Sequence, residues 1–245
     1  MELQGKKALV TGGATRIGRE LCRTLARAGA AVAVHYRSSE SEAASLVEEI
    51  TASGGQAVML QADLSSESAC KKMVDEAHAA LGGLDVLINN ASVFTRESLL
   101  QTTQASLERE FWPNLFAPVM LSRFFAEGVS GDGIIINLLD RRITANDARF
   151  FAYSLAKKGL ADFTKLAAVE LAPRIKVHGI APGPILPPPG ESLAYLKEKG
   201  GRQLLDDELD PGAIAGAMMA LLGLRGATGQ ILYIDNGQHL LGNGV

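Results

Sequence analysis

A chain of 245 residues with 47% hydrophobic side chains has the material for a large core, and an α/β fold of this length fits in one domain. Its 24 basic and 27 acidic residues nearly cancel, which argues against a nucleic-acid or anionic-membrane partner, since both require a basic excess. Only two cysteines occur, Cys22 and Cys70, which argues against a disulfide framework, and a reducing, cytoplasmic setting is expected. The opening MELQGKKALVTGG has no long apolar stretch behind a basic head, so no secretory signal is expected. No apolar run reaches the roughly 18–20 residues of a membrane helix.

In chain order, KALVTG predicts a strand and RIGRELCRTLARAG a helix closed by glycine. AVAVHY and SEAASLVEEITASGG repeat the pair, as do QAVMLQAD and SESACKKMVDEAHAALGG. LDVLINNA gives a fourth strand and GIIINLL a fifth. YSLAKKGLADFTKLAAVELA is a long helix and IKVHGIAPG a sixth strand. DPGAIAGAMMALLGL and GQILYIDNG close with a helix and a strand. Strand and helix alternating at this spacing predict βαβ units and a parallel sheet covered on both faces. The proline- and glycine-rich stretch 182–210 breaks the pattern and reads as a surface lobe or lid.

VTGGATRIG follows the first strand and opens the first helix. Gly12, Gly13 and Gly18 permit a tight turn and close approach of backbone to an anion, which the positive end of the helix favours. With a second strand following at the right length, dinucleotide binding is expected. The second strand ends in HYRSS, not in an acid. Arg37, Ser38 and Ser39 suit the extra phosphate of NADP, which a carboxylate would repel. Asp63 ends the third strand, either as an acceptor for the adenine amino group or as a helix N-cap. In NNAS, Asn90 and the backbone of Ala91 are placed to line the cofactor crevice, while Asn89 either joins them or braces neighbouring loops.

YSLAK sets Tyr153 and Lys157 four residues apart on one helical face. A nearby ammonium is expected to lower the phenol pKa and make Tyr153 a proton donor near neutral pH.

Together, TGGATRIG, NNAS, YSLAK, APGPI and the closing TGQILYIDNG resemble the short-chain dehydrogenase/reductase family along essentially the whole chain. The resemblance implies a three-layer, doubly wound α/β Rossmann fold with a seven-stranded parallel sheet. It implies one domain over 1–245, a substrate lid around 184–210, and NADPH as cofactor. The implied cofactor contacts are Gly12, Arg16, Ile17 and Gly18 in the first loop, then His35, Tyr36, Arg37 and Ser38. They continue with Asp63, Leu64, Asn90, Ala91 and Ser92, then Tyr153 and Lys157, and close with Pro182, Gly183 and Ile185. Near Ile185 the backbone is expected to meet the nicotinamide amide. Asn114, in FWPNLFAP, matches the family asparagine that links the lysine to solvent through its backbone and a water. A homotetramer built through the long helices and the last strand is also implied.

Two departures from the family pattern carry the substrate reading. Arg16 stands where a glycine is expected, and Asp140 ends the fifth strand 13 residues before Tyr153, where the wider family has a serine. A carboxylate suits the amino and ring N–H groups of a heterocycle better than it suits a carbonyl. With ATRIG, HYRS and NNASVF, this resembles the pteridine reductases. In those enzymes the matching residues, Arg16, Ser92, Phe94, Asp140 and Tyr153, hold a pterin, with Phe94 stacking it against the nicotinamide. The expected reaction is hydride to a ring carbon and a proton from Tyr153, coupled to Asp140, to the adjacent ring nitrogen of a dihydropterin or dihydrofolate, favoured at mildly acidic pH. Other readings set a surface ion pair of Asp140 with Arg141 or Arg142, and Phe94 packed beneath the lid. The competing functions are a carbonyl reductase, such as one acting on 3-oxoacyl thioesters, and an NADP-binding sensor. No metal site is expected. In the lid, Leu193 and Tyr195 are the candidates to touch ligand. The final DNG replaces the DGG of many relatives.

Overall fold

The computed structural model describes residues 3–187, 192, 194 and 200–241. Seven strands run parallel in one sheet: β1 (Lys7–Val10), β2 (Ala31–Tyr36), β3 (Gln56–Gln61), β4 (Val86–Asn89), β5 (Gly133–Leu138), β6 (Ile175–Pro182) and β7 (Ile231–Ile234). Their order is β3-β2-β1-β4-β5-β6-β7. The chain winds outward from β1 to β3, returns to place β4 on the other side of β1, and then winds the opposite way. Such a reversal opens a crevice at the carboxyl ends of the two strands at the switch point.

Alternate strand residues feed two cores, as the pleat requires. Ala8 and Val10 of β1 join Val32, Val34 and Ile88 on one face, while Leu9 joins Leu87, Ile135 and Val177 on the other. The first face is covered by α1 (Arg16–Arg27), α2 (Glu40–Ala52) and the helix Pro211–Gly223; Leu21, Leu25, Leu46 and Met218 pack there. The second is covered by α3 (Glu67–Leu81), α5 (Ala117–Gly128) and α6 (Phe151–Glu170), through Met73, Leu121, Phe125 and Ala167.

A short helix, α4 (Gln104–Phe111), runs into α5 through a π turn at Trp112–Phe116. The sequence supplies the cause, because Pro113 and Pro118 remove two N–H groups that a regular helix would use. Asn114 sits on that turn and is fully buried. Both cysteines are buried and free. Among the described residues no helix is long and apolar enough to cross a membrane. Leu193 and Tyr195, the lid candidates, lie outside the described residues.

Candidate active site

The site is built on the loops that leave β1, β2, β4, β5 and β6 at the crevice. After β1, Gly12 has φ +61°, and a Cβ there would meet the Ala91 Cα at 3.0 Å. Gly18 lies behind the loop, in contact with Gly12, where a Cβ would collide with the Gly12 carbonyl. Arg16 takes φ +53°, a left-handed backbone that L side chains seldom adopt. That conformation explains why a glycine is expected at this place.

The loop is pinned from two sides. The amides of Asn90 and Ala91 donate to Thr11 Oγ1 at 2.9 and 3.0 Å, and Asn90 Nδ2 donates to the carbonyls of Thr11 and Gly12. Gly12 N donates to His35 Nδ1 at 3.0 Å, and the opposite ring nitrogen faces the Ala62 carbonyl at 3.1 Å. That pattern makes His35 neutral with the proton on Nε2, and burial holds its pKa down at about 4. Both its nitrogens are spent on the protein. His35 therefore braces the loop and presents only its ring to the cavity that it lines. Asn89 likewise braces, with Nδ2 donating to Asn137 Oδ1 at 2.8 Å and Ser122 Oγ at 3.3 Å.

A cavity of about 610 Å³ extends from this loop over the ends of β2 and β3. Its walls include Gly12, Tyr36, Arg37, Ser38, Asp63 and Leu64, with Ala91 and Ser92 at the far end. Ser66, not Asp63, caps α3, accepting from the Ala69 amide at 3.2 Å. Asp63 is thereby left facing the cavity. Arg37 forms no ion pair among the described residues. Tight glycine turning, a helix N-terminus and an unpaired guanidinium beside two serines fit a phosphorylated dinucleotide.

A second cavity, about 580 Å³, meets the first at Ser92. It contains Arg16, Ile17, Asn90, Phe94, Asp140 and Tyr153, and beyond them Lys157, Pro182, Gly183 and Ile185. Asp140 follows β5 and faces the phenol. Tyr153 Oη donates to Asp140 Oδ2 at 2.9 Å, the Arg142 amide donates to Oδ1 at 2.8 Å, and Arg142 Nη1 lies 3.2 Å from Oδ2. Three donors converge on the carboxylate, which stands as an acceptor. The alternative ion pair with Arg142 is also present, so one acid serves both.

Tyr153 departs from expectation. Burial, then the charge of Asp140 and the hydrogen bond to it, push its pKa well up, and Arg142 opposes this only in part. Lys157 does not reverse that, because its Nζ donates to the Leu138 carbonyl at 2.7 Å and stands 5.8 Å from the phenol ring centre. Burial draws Lys157 down to about 8, against the upward pull of Asp140 and Glu110. The phenol is thus held protonated, with a buried cation behind it.

Asn114 lines neither cavity. Its Oδ1 accepts from Ser92 Oγ at 2.6 Å, and its Nδ2 donates to Val93 O and Glu110 O, both at 2.9 Å. It anchors the turn after β4. Phe94 is 47% exposed in the cavity, with Phe150 stacked on one face at 4.3 Å and Tyr153 edge-on at 4.7 Å. The Arg142 guanidinium rides over both phenylalanines at about 5 Å. Sequence reasoning missed Thr11 and Phe150, and saw Arg142 only as a surface ion-pair partner.

A family model described as short chain dehydrogenase matches residues 6–194. A glucose and ribitol dehydrogenase homolog of Arabidopsis thaliana is 31% identical over 249 residues, covering 96% of this chain and 86% of that protein. FolM alternative dihydrofolate reductase 1 from Brucella canis, solved with NADP, is 33% identical, with a TM-score of 0.91 over 96% of this chain and 94% of that one. A short chain dehydrogenase from Burkholderia cenocepacia, also solved with NADP, is 31% identical, with a TM-score of 0.89 over 96% and 98%.

Proposed function

The chain belongs to the short-chain dehydrogenase family and is an oxidoreductase, and on that premise we propose that it is an NADPH-dependent reductase of pteridine-type rings. The observation that carries the reading is the carboxylate of Asp140, 2.9 Å from the Tyr153 hydroxyl, in a cavity with Phe94. A serine would offer a hydroxyl to a carbonyl oxygen. A carboxylate accepts from the amino and N–H groups that a pterin edge presents. The likeness to a dihydrofolate reductase solved with NADP supports the same reading.

NADPH, when bound, supplies a hydride. Arg37, Ser38 and Ser39 hold its additional phosphate, and the Gly12 loop takes the pyrophosphate. Tyr153 keeps its proton on Oη, directed at Asp140. A ring whose N–H groups occupy Asp140 releases that hydroxyl to donate to a ring nitrogen. Lys157, charged near neutral pH, steadies the negative charge left on the phenol. Pro118 has no N–H to return to the Asn114 carbonyl, which suits that oxygen to the expected relay from Lys157 toward solvent. The two free, buried cysteines fit a cytoplasmic protein. The assembly is a homotetramer, supported by an apolar stripe on α6 taken up in the Discussion.

The test follows NADPH oxidation with dihydrobiopterin, dihydromonapterin and dihydrofolate in parallel, against a panel of ketones and 3-oxoacyl thioesters. At least one pterin should turn over, and Asp140→Ser should lower its kcat/KM by about a hundredfold, the usual scale for losing an acid–base partner. An Asp140→Ser protein that reduced dihydropterins as fast as the parent would leave the carboxylate without a role. Turnover of the carbonyl panel alone would make the protein a carbonyl reductase.

A further inference from the structure

The second cavity has a pronounced charge imbalance. Arg16, Arg96, Arg141, Arg142, Arg149 and Lys157 line it, and Asp140 is the one acid among its described lining residues. Four of the cations have partners. Arg142 is tied to Asp140 and, at 3.4 Å, to Asp147; Arg149 is paired with Asp147 at 2.8 Å. Lys157 donates to Leu138 O, and Arg16 Nη2 donates to Pro187 O at 3.0 Å. The side chains of Arg96 and Arg141 have no hydrogen bond or ion pair among the described residues.

Arg96 is exposed, so water solvates it. Arg141 is half-buried, one residue beyond Asp140. Burial and the adjacent Arg142 lower its pKa more than Asp140, Asp235 and Asp147 raise it. The nearby Asp235 is already saturated by the amides of Gly237 and His239 and by the His239 ring, at 3.0, 2.8 and 2.9 Å. A partly desolvated guanidinium without an anion is unfavourable, and buried charges in folded proteins are normally paired. Among the described residues no carboxylate reaches Arg141 as an ion pair, since Asp140, Asp235 and Asp147 act on it only at longer range, and its planar fork is built to take a carboxylate or phosphate.

We propose that the substrate brings the missing anion: it is a pteridine whose side chain carries a carboxylate or phosphate, bound by Arg141 while the ring engages Asp140. This rests on the pteridine reading and narrows it from the ring to the whole molecule. Arg96, at the exposed rim, adds a long-range attraction that salt screens.

The experiment compares kcat/KM for three substrates with NADPH: dihydrofolate, with a glutamate tail; a dihydropterin whose short side chain ends in phosphate; and dihydrobiopterin, with a neutral side chain. The parent should favour one of the anionic substrates over dihydrobiopterin, and the two anionic arms identify which anion is used. Arg141→Gln should reduce that preference about tenfold, the scale of a hydrogen bond to a charged group, and Arg141→Lys should restore part of it. The preference should also shrink as salt is raised. Equal preference in parent and Arg141→Gln, with dihydrobiopterin still reduced, overturns the anion site and leaves the pteridine reading intact. No turnover of any of the three overturns the pteridine reading, and the anion site with it.

Discussion

Arg16 holds a backbone conformation that costs a non-glycine residue roughly 1–2 kcal/mol. A side chain kept under such strain on the wall of the second cavity marks a place where function outweighs local stability. Its guanidinium lines the second cavity and reaches Pro187, beyond β6, so it spans the crevice between the first loop and the lobe. Arg16→Gly separates the two consequences. Glycine relieves the left-handed strain but adds freedom to the unfolded chain, terms that offset to within about 1 kcal/mol. Thermal midpoint should therefore scarcely move, while NADPH affinity or pterin KM worsens about tenfold through loss of a charge-assisted contact. Calorimetry beside a cofactor titration checks both arms. A variant that unfolded early yet bound normally would show Arg16 to be a structural strut.

Elements meet through His35, which links the end of β2 to the first loop and to the segment after β3. Its folded pKa of about 4 lies below the ordinary 6.5, so the unfolded chain takes up this proton first as pH falls. Stability from this group is complete above about pH 6.5 and is lost progressively down to about 4, on the order of 3 kcal/mol in all. Protonation also removes the acceptor for the Gly12 amide, so cofactor affinity should fall in the same window. His35→Gln, which cannot titrate, should flatten the acid limb of a urea-midpoint profile; parallel slopes for the two proteins would show that another group sets it. This strut was hidden in the sequence for a physical reason. AVAVHY announces a strand by composition, but the bonds of its histidine go to residues 23 positions before it and 27 after it, which no local pattern encodes. The apolar strands, glycine turns and i,i+4 Tyr153–Lys157 pair were legible, because each is a local requirement of backbone geometry. Asp140 was legible as a departure from a family pattern, and its pairing with Arg142, two residues on, as a local alternative, whereas the Phe94–Phe150 stack depended on segments brought together by the fold. Asn236, in DNG, shows both sides. The turn needs φ +52°, which asparagine tolerates, but only the fold reveals that Nδ2 clamps Gln203 Oε1 and Asp207 O at 2.7 and 2.8 Å, holding part of the lobe.

At the scale of the whole molecule, the outer face of α6 is out of keeping with a solvated helix. Leu155, Leu166 and Val169 are 48%, 70% and 80% exposed, and their spacing of eleven and three residues puts them on one stripe. Phe116, on the π turn that packs against α6, is 39% exposed. Isolated surface leucines need no explanation, but an aligned set on the helix that carries Tyr153 and Lys157 does. Closed symmetric assembly covers such a face with its own copy, and it would hold the catalytic helix rigid from behind. Light scattering should give a mass of about four chains, consistent with the proposed tetramer. The double variant Leu166→Glu, Val169→Glu places like charges opposite each other across a two-fold contact, so it should yield smaller species with a lower and concentration-dependent thermal midpoint. If the parent runs as a single chain at micromolar concentration, the stripe is left to water, and the rigidity of the Tyr153–Lys157 pair must come entirely from the core beneath α6.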